Sequence, residues 1–248
     1  MSILGVDVGG TKVAAGPVDP TGHLLARPLV EATRANDSRE FLGGLEATLR
    51  RALTEFADLR PQAVGLACAG TVDGSRGVVL TSPHLPLRNV PLAGILRKAL
   101  GLPVIVENDA NAAVLGEAVA GVAAGLGHVV MLTLGTGVGG GLFLDGKLYR
   151  GVGGGAGELG HTVVRAGGEP CACGARGCLE MYASGAALAR YAAARAGVME
   201  LDGGGALARL REEEGLTGEA VSRLAREGHA GALEAVRELA GWLGIGLM

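Results

Sequence analysis

The sequence predicts an α/β fold of two similar lobes around a central cleft. Three observations predict it. Short apolar runs of strand length alternate with longer stretches whose apolar residues recur at helical spacing. The layout of the opening, "ILGVDVGGTKVAAGPVDPTGHLL", returns in "VVMLTLGTGVGGGLFLDGKLY" at 129–149, each reading strand, glycine turn, strand, turn, strand. A chain of 248 residues that is 48% hydrophobic also has material for one large core or two small ones.

Residues 3–8, "ILGVDV", read as a buried strand, and a "GGT" turn leads to a second strand at 12–18. A "DPTG" turn at 19–22 follows, then a third strand near 23–30. Phe41, Leu45, Leu49, Leu53 and Phe56 recur at helical spacing and predict a helix over 40–57. "AVGLACAG" at 63–70 is a strand, with Cys68 a small core residue. A helix near 91–100 leads through Pro103 to the strand "VIVEN", 104–108, and a helix over 110–121. Beyond 179 the chain reads as helices, with a low-complexity "LDGGGA" loop at 201–206. The lobes are expected over 1–109 and 110–248, the second carrying a cysteine-rich loop.

Composition excludes several classes. The net charge of −3 offers no basic field for nucleic acid. Glycines interrupt the apolar run at 129–144, so no segment reads as a membrane span. The opening "MSILGVDVGG" has neither a charged n-region nor a cleavage site, and a cytoplasmic protein is expected. In a reducing compartment the gathering of Cys171, Cys173 and Cys178 near His161 points to a metal rather than disulfides. Side-chain amides are scarce, being Asn36, Asn89, Asn108, Asn111 and Gln62, which draws the eye to Asn108 and Asn111.

"DVGGTK" (7–12) and "LGTGVGGG" (134–141) each set glycines and a threonine between two strands. Gly9, Gly10, Gly135, Gly137 and Gly139 would let backbone N–H groups approach an anion. Thr11 and Thr136 add hydroxyls, and Lys12, one of three lysines, adds a cation. Asp7, ending the first strand, is placed to hold Mg²⁺ directly or through water. Neither segment has the Walker A pattern. Either alone reads as a tight hairpin turn; the two at matching places favour a phosphate site.

"VENDANAA" puts Glu107, Asn108 and Asp109 at the end of a strand, where carboxylates of α/β folds face a ligand crevice. Asp109 would take a proton from a hydroxyl that Asn108 orients. The competing reading is helix capping, for which Asp and Asn are favoured.

Together "DVGGTK", "ENDANAA", "GTGVGGG", "GELGH" and "CACGARGCLEMYASG" resemble the ROK family (repressors, open reading frames and kinases), and within it the bacterial ATP-dependent glucokinases. C-x-C-G-x-x-G-C-x-E after E-x-G-H is the family's signature, and the resemblance runs from residue 3 to the end. It implies the actin-like/sugar-kinase fold of two ribonuclease-H-like lobes. It implies transfer of the γ-phosphate of ATP to the 6-hydroxyl of glucose, with Mg²⁺ and Asp109 as base. Asn108, Glu158, His161 and Glu180, with Asn89, would bind the other hydroxyls. Thr11, Lys12 and the glycines at 135, 137 and 139 would lie along the ATP phosphates.

His161, Cys171, Cys173 and Cys178 then make a closed HisCys₃ set suited to structural Zn²⁺. One nitrogen of His161 would bind the metal, aiming the other at a sugar hydroxyl. A kinase for N-acetylmannosamine, N-acetylglucosamine, mannose or fructose is the nearest alternative. A sugar-sensing repressor is the remoter one, since a helix-turn-helix would be expected ahead of the strand at Ile3. A homodimer or homotetramer is expected from the family. The last element stops at Met248 without a polar cap. Family chains continue for about fifty residues more, a length in keeping with domain sizes, so a continuation completing the adenosine pocket is expected.

Overall fold

The computed structural model describes residues 2–34, 36–196, 205–213 and 215–248. The chain divides into two compact units, one of Met1–Met131 with Gly141–Gly157, the other of Leu132–Gly140 with Glu158–Met248. The layout duplication put the boundary at 109/110. The contacts instead keep 110–131 and 141–157 with the first unit, because Val114 and Ala118 share a small core with Phe143, Met131 and Leu148.

The first unit opens with β1 (Ser2–Val8) and β2 (Lys12–Val18), paired antiparallel from Ile3↔Val18 to Val8↔Val13. β1 alternates, with Leu4, Val6 and Val8 buried and Ile3 and Asp7 exposed, as one face packed on a core requires. β3 is Leu29–Ala32, shorter and later than the expected 23–30. Pro28 lacks an N–H for a ladder. The preceding stretch is tied by the bridge Val18↔Leu24 and by bonds from the Leu25 N–H to the Pro17 carbonyl and from the Asp19 N–H to the His23 carbonyl.

α1 (Ser38–Glu55) starts where Asp37 accepts the Glu40 N–H and buries Phe41, Leu45, Leu49 and Ala52 on one face. β4 (Pro61–Cys68) pairs parallel with β1. Three short strands, β5 (Thr71–Asp73), β6 (Val78–Thr81) and β7 (Arg88–Val90), form an antiparallel sheet of their own. Sequence patterning missed them. Strands of three or four residues, punctuated by Gly74, Gly77, Pro83 and Pro86, are too short to show alternation.

α2 (Leu92–Leu100) buries Leu92 and Leu96 and stops at Gly101 in the left-handed conformation. β8 (Val104–Asn108) adds a third parallel strand to the main sheet, whose order is β3-β2-β1-β4-β8. α3 (Asp109–Ala120) follows with no intervening loop.

β9 (Val129–Leu134), β10 (Val138–Leu144) and β11 (Lys147–Leu148) make the third sheet. The tip of the β9–β10 hairpin belongs to the second unit. That unit continues through the cysteine loop to α4 (Glu180–Ala183), α5 (Gly185–Ala193), α6 (Ala206–Glu213), α7 (Gly218–Arg226) and α8 (Ala230–Gly246). Leu179 is fully buried among Val138, Ala183, Leu239 and Leu243. The Tyr182 and Trp242 rings lie 4.6 Å apart. Most of the expected 201–206 loop falls outside the described residues. Among those described, no helix is long and apolar enough to cross a membrane.

Candidate functional site

The register of the three parallel strands aligns their carboxyl ends. Asp7 pairs with Ala67 and Ala67 with Glu107, while Val8, Cys68 and Asn108 share the next row. Asn108 ends β8 and caps α3, its Oδ1 accepting the Asn111 N–H at 2.9 Å. Its Nδ2 donates to the Gly70 carbonyl and to Asp109 Oδ1, each at 2.9 Å. The cap is therefore Asn108, which frees Asp109 from that duty.

Asp109 Oδ1 also accepts the Ala110 N–H at 2.9 Å, and among the described residues no hydrogen bond reaches Oδ2. Desolvation pushes the Asp109 carboxyl above its usual range. The nearby charge of Asp7 adds to the rise, while the hydrogen bonds from Ala110 and Asn108 oppose it. Its own burial, with a further push from the charges of Asp109 and Asp7, raises the Cys68 thiol to about 12, so Cys68 is an inert core residue.

The sequence put Glu107 at a strand end without a role of its own and gave Arg150 none, yet the two brace this junction. Glu107 is 8% exposed. Its Oε2 accepts from Arg150 Nε at 2.7 Å and lies 2.6 Å from Nη2. Its Oε1 accepts the Asn108 N–H at 3.1 Å and Asn111 Nδ2 at 3.0 Å. A glutamate inside an apolar strand demands a partner, and that signal was legible. Which arginine would answer was not. Gly70 is a further missed residue: its φ is 122°, and a Cβ there would meet the Thr81 carbonyl at 2.3 Å. Asn89 sits exposed in β7 with φ 52°, a left-handed conformation that asparagine tolerates.

The first glycine turn is a tied hairpin. The Gly9 N–H donates to the Lys12 carbonyl at 3.0 Å, and Thr33 Oγ1 donates to the Gly9 carbonyl at 2.7 Å. Gly10 packs against His84, which a Cβ would approach to 2.9 Å. Thr11, Lys12 and Asp7 are exposed.

In the second unit the other glycine turn is gripped from several sides. The Gly185 N–H at the start of α5 donates to the Gly135 carbonyl at 2.8 Å, and Gly218 at the start of α7 packs on Gly185. Thr136 is exposed, and Gly139 continues into β10. Glu180 Oε2 accepts the Val138 N–H at 3.0 Å. Gly160, the glycine of "GELGH", lies against β10 so closely that a Cβ would come within 1.9 Å of the Val138 carbonyl.

The cysteine loop gathers the four expected donors, whose ligand atoms all lie within 4.8 Å of one another. Cys171 Sγ is 3.5 Å from His161 Nδ1, and Cys173 Sγ is 3.6 Å from Cys178 Sγ. A tetrahedral zinc with bonds of about 2.3 Å to sulfur and about 2.0 Å to nitrogen spaces its ligands roughly 3.5–3.8 Å apart. The donor set and its spacing fit that metal. His161 turns Nδ1 to the cysteines and leaves Nε2 3.9 Å from Glu158 Oε2. The loop bends at Gly174 (φ 92°) and Gly177 (φ 86°), and the Cys171 N–H donates to the Ala175 carbonyl at 2.9 Å.

Residues 3–248 match the ROK family. The glucokinase of Streptomyces coelicolor is 39% identical over 246 residues, covering 98% of this chain and 76% of that one. A crystal structure of a ROK family glucokinase from Streptomyces griseus in complex with glucose and AMPPNP has a TM-score of 0.83 at 40% identity, covering 100% of this chain and 78% of that one. A ROK family transcriptional regulator, a homologue of the E. coli MLC protein, has a TM-score of 0.87 at 27% identity, covering 99% and 61%. The expected actin-like sugar-kinase fold is borne out by these likenesses.

Proposed function

The chain belongs to the ROK family, and from that premise we propose that it is an ATP-dependent glucokinase. One observation carries the reading: Asp109 stands at the carboxyl end of β8, relieved of capping by Asn108, and among the described residues no hydrogen bond reaches its Oδ2. Partial desolvation raises its proton affinity, as a general base requires.

In the proposed reaction the glucose 6-hydroxyl gives its proton to Asp109 Oδ2 as its oxygen bonds the γ-phosphorus. The bond from that phosphorus to the β,γ-bridging oxygen breaks, and ADP leaves. Little else is asked of covalent chemistry, so positioning dominates. Asn108, through its bond to Asp109 Oδ1, fixes the base. Glu158, His161 and Glu180 would accept from and donate to the remaining hydroxyls, carboxylates suiting vicinal diols because each oxygen can accept. Thr11, Lys12 and the turn from Gly135 to Gly139 would receive the phosphates. Mg²⁺, held on the protein side by Asp7, would offset phosphate charge. His161, Cys171, Cys173 and Cys178 would hold a structural Zn²⁺ that keeps the glycine-rich loop in shape. A homodimer or homotetramer is the proposed assembly.

The test is an ADP-release assay over glucose, mannose, fructose, N-acetylglucosamine and N-acetylmannosamine. Glucose is expected to show the highest kcat/KM. A higher value for another sugar would reassign the substrate, and no ADP release with any of them would overturn the kinase reading.

A further inference from the structure

Glu180 stands two residues after Cys178, at the start of α4, and its carboxylate reaches the tip of the β9–β10 hairpin. Oε2 accepts the Val138 N–H at 3.0 Å. The same oxygen leaves no room beside Gly137, where a Cβ would stand 2.3 Å from it. The opposite end of the turn is held separately, by the Gly185 N–H on the Gly135 carbonyl at 2.8 Å. Behind Glu180, Leu179 is fully buried against Val138, and its N–H donates to the Thr162 carbonyl at 2.8 Å. Glu180 therefore ties the cysteine loop to the nucleotide-side turn.

We infer that Glu180 is a positioning residue for the phosphate-binding turn, in addition to any contact with sugar. The inference rests on the kinase reading above. A carboxylate accepting a backbone N–H makes a stronger bond than a neutral acceptor. It fixes the direction of the Val138 amide and, through it, the path of Thr136 and Gly137. Two carboxylate oxygens have about four acceptor positions. Glu180 can therefore keep the Val138 N–H while accepting a sugar hydroxyl. Sugar binding then stiffens the turn that takes the nucleotide, and by linkage nucleotide favours sugar to the same degree.

The test is calorimetric titration of the purified protein with Mg²⁺–AMPPNP in the absence of any sugar. A purely sugar-binding Glu180 has no bearing on that measurement. Glu180→Ala is expected to weaken AMPPNP about tenfold, and Glu180→Gln, which keeps an acceptor at the same reach, to stay within about threefold of the parent. Unchanged affinity in Glu180→Ala overturns the inference. If Glu180→Ala loses its fold by circular dichroism, Gly137→Ala probes the same contact from the other side. Its added methyl group displaces the carboxylate, a comparable loss of AMPPNP affinity supports the inference, and unchanged affinity overturns it. A parent protein that binds no AMPPNP overturns the kinase reading itself, and the inference with it.

Discussion

Neighbouring residues in "END" divide the labour at the β8–α3 junction. Asn108 caps the helix, and among the described residues one oxygen of Asp109 receives no hydrogen bond. Residue types alone left capping and catalysis equally open for Asp109, because both roles want a short polar side chain at a helix start. Only the hydrogen bonds separate them. The raised proton affinity of Asp109 has a definite sign in stability. Its folded pKa lies above the usual 3.8. Ionised Asp109 therefore opposes folding at neutral pH, and this burden lifts as pH falls through the folded pKa. Asp109→Asn should thus have an equal or higher melting temperature at pH 7, with any gain fading in acid, as scanning calorimetry at several pH values would read. A clear loss of stability at pH 7 would mark Asp109 as structural. In the parent enzyme the acid limb of kcat/KM is expected above pH 3.8, since the base must be ionised.

Two elements carry the site, and they were unequally legible. The cysteine loop announced its donors by residue type and spacing, and the structure brings all four within 4.8 Å. Purified protein is accordingly expected to contain about one zinc per chain, as a closed four-ligand site does. Cys171→Ser should lower zinc content and melting temperature together, measured by elemental analysis and thermal denaturation. Full zinc occupancy in that variant would contradict the ligand assignment. The brace beneath β8 was only half legible, because a glutamate within an apolar strand signals a buried pair, although the strand-end position pointed it at a crevice, and nothing local signals Arg150. Forty-three residues of sequence separate them, and no local pattern spans that distance. Arg150→Met leaves the Glu107 carboxylate buried beside Asn111 without its cation. It should cost about 3 kcal/mol in urea unfolding, the low end of the range for such pairs because Arg150 is itself half exposed. The short strands β5 to β7 escaped notice for a related reason: pairing, rather than patterning, defines them.

At the scale of the whole molecule the recurring layout predicted the fold class. It did not predict how the chain is shared between units, which follows from packing of α3 on β10 and β11. Nor does the fold decide the function. The same architecture appears in a glucokinase with a TM-score of 0.83 and in a transcriptional regulator with one of 0.87. On the kinase reading proposed above, the decision rests above all on Asp109. The direct test is therefore to compare Asp109→Asn with the parent in two measurements, steady-state turnover at saturating glucose and ATP, and glucose affinity by calorimetry without nucleotide. If Asp109 is the base, kcat falls by about 10²–10⁴-fold while glucose affinity changes far less, because the other hydroxyl ligands remain. Turnover that survives at saturating glucose while binding is lost would make Asp109 a ligand contact and contradict the mechanism.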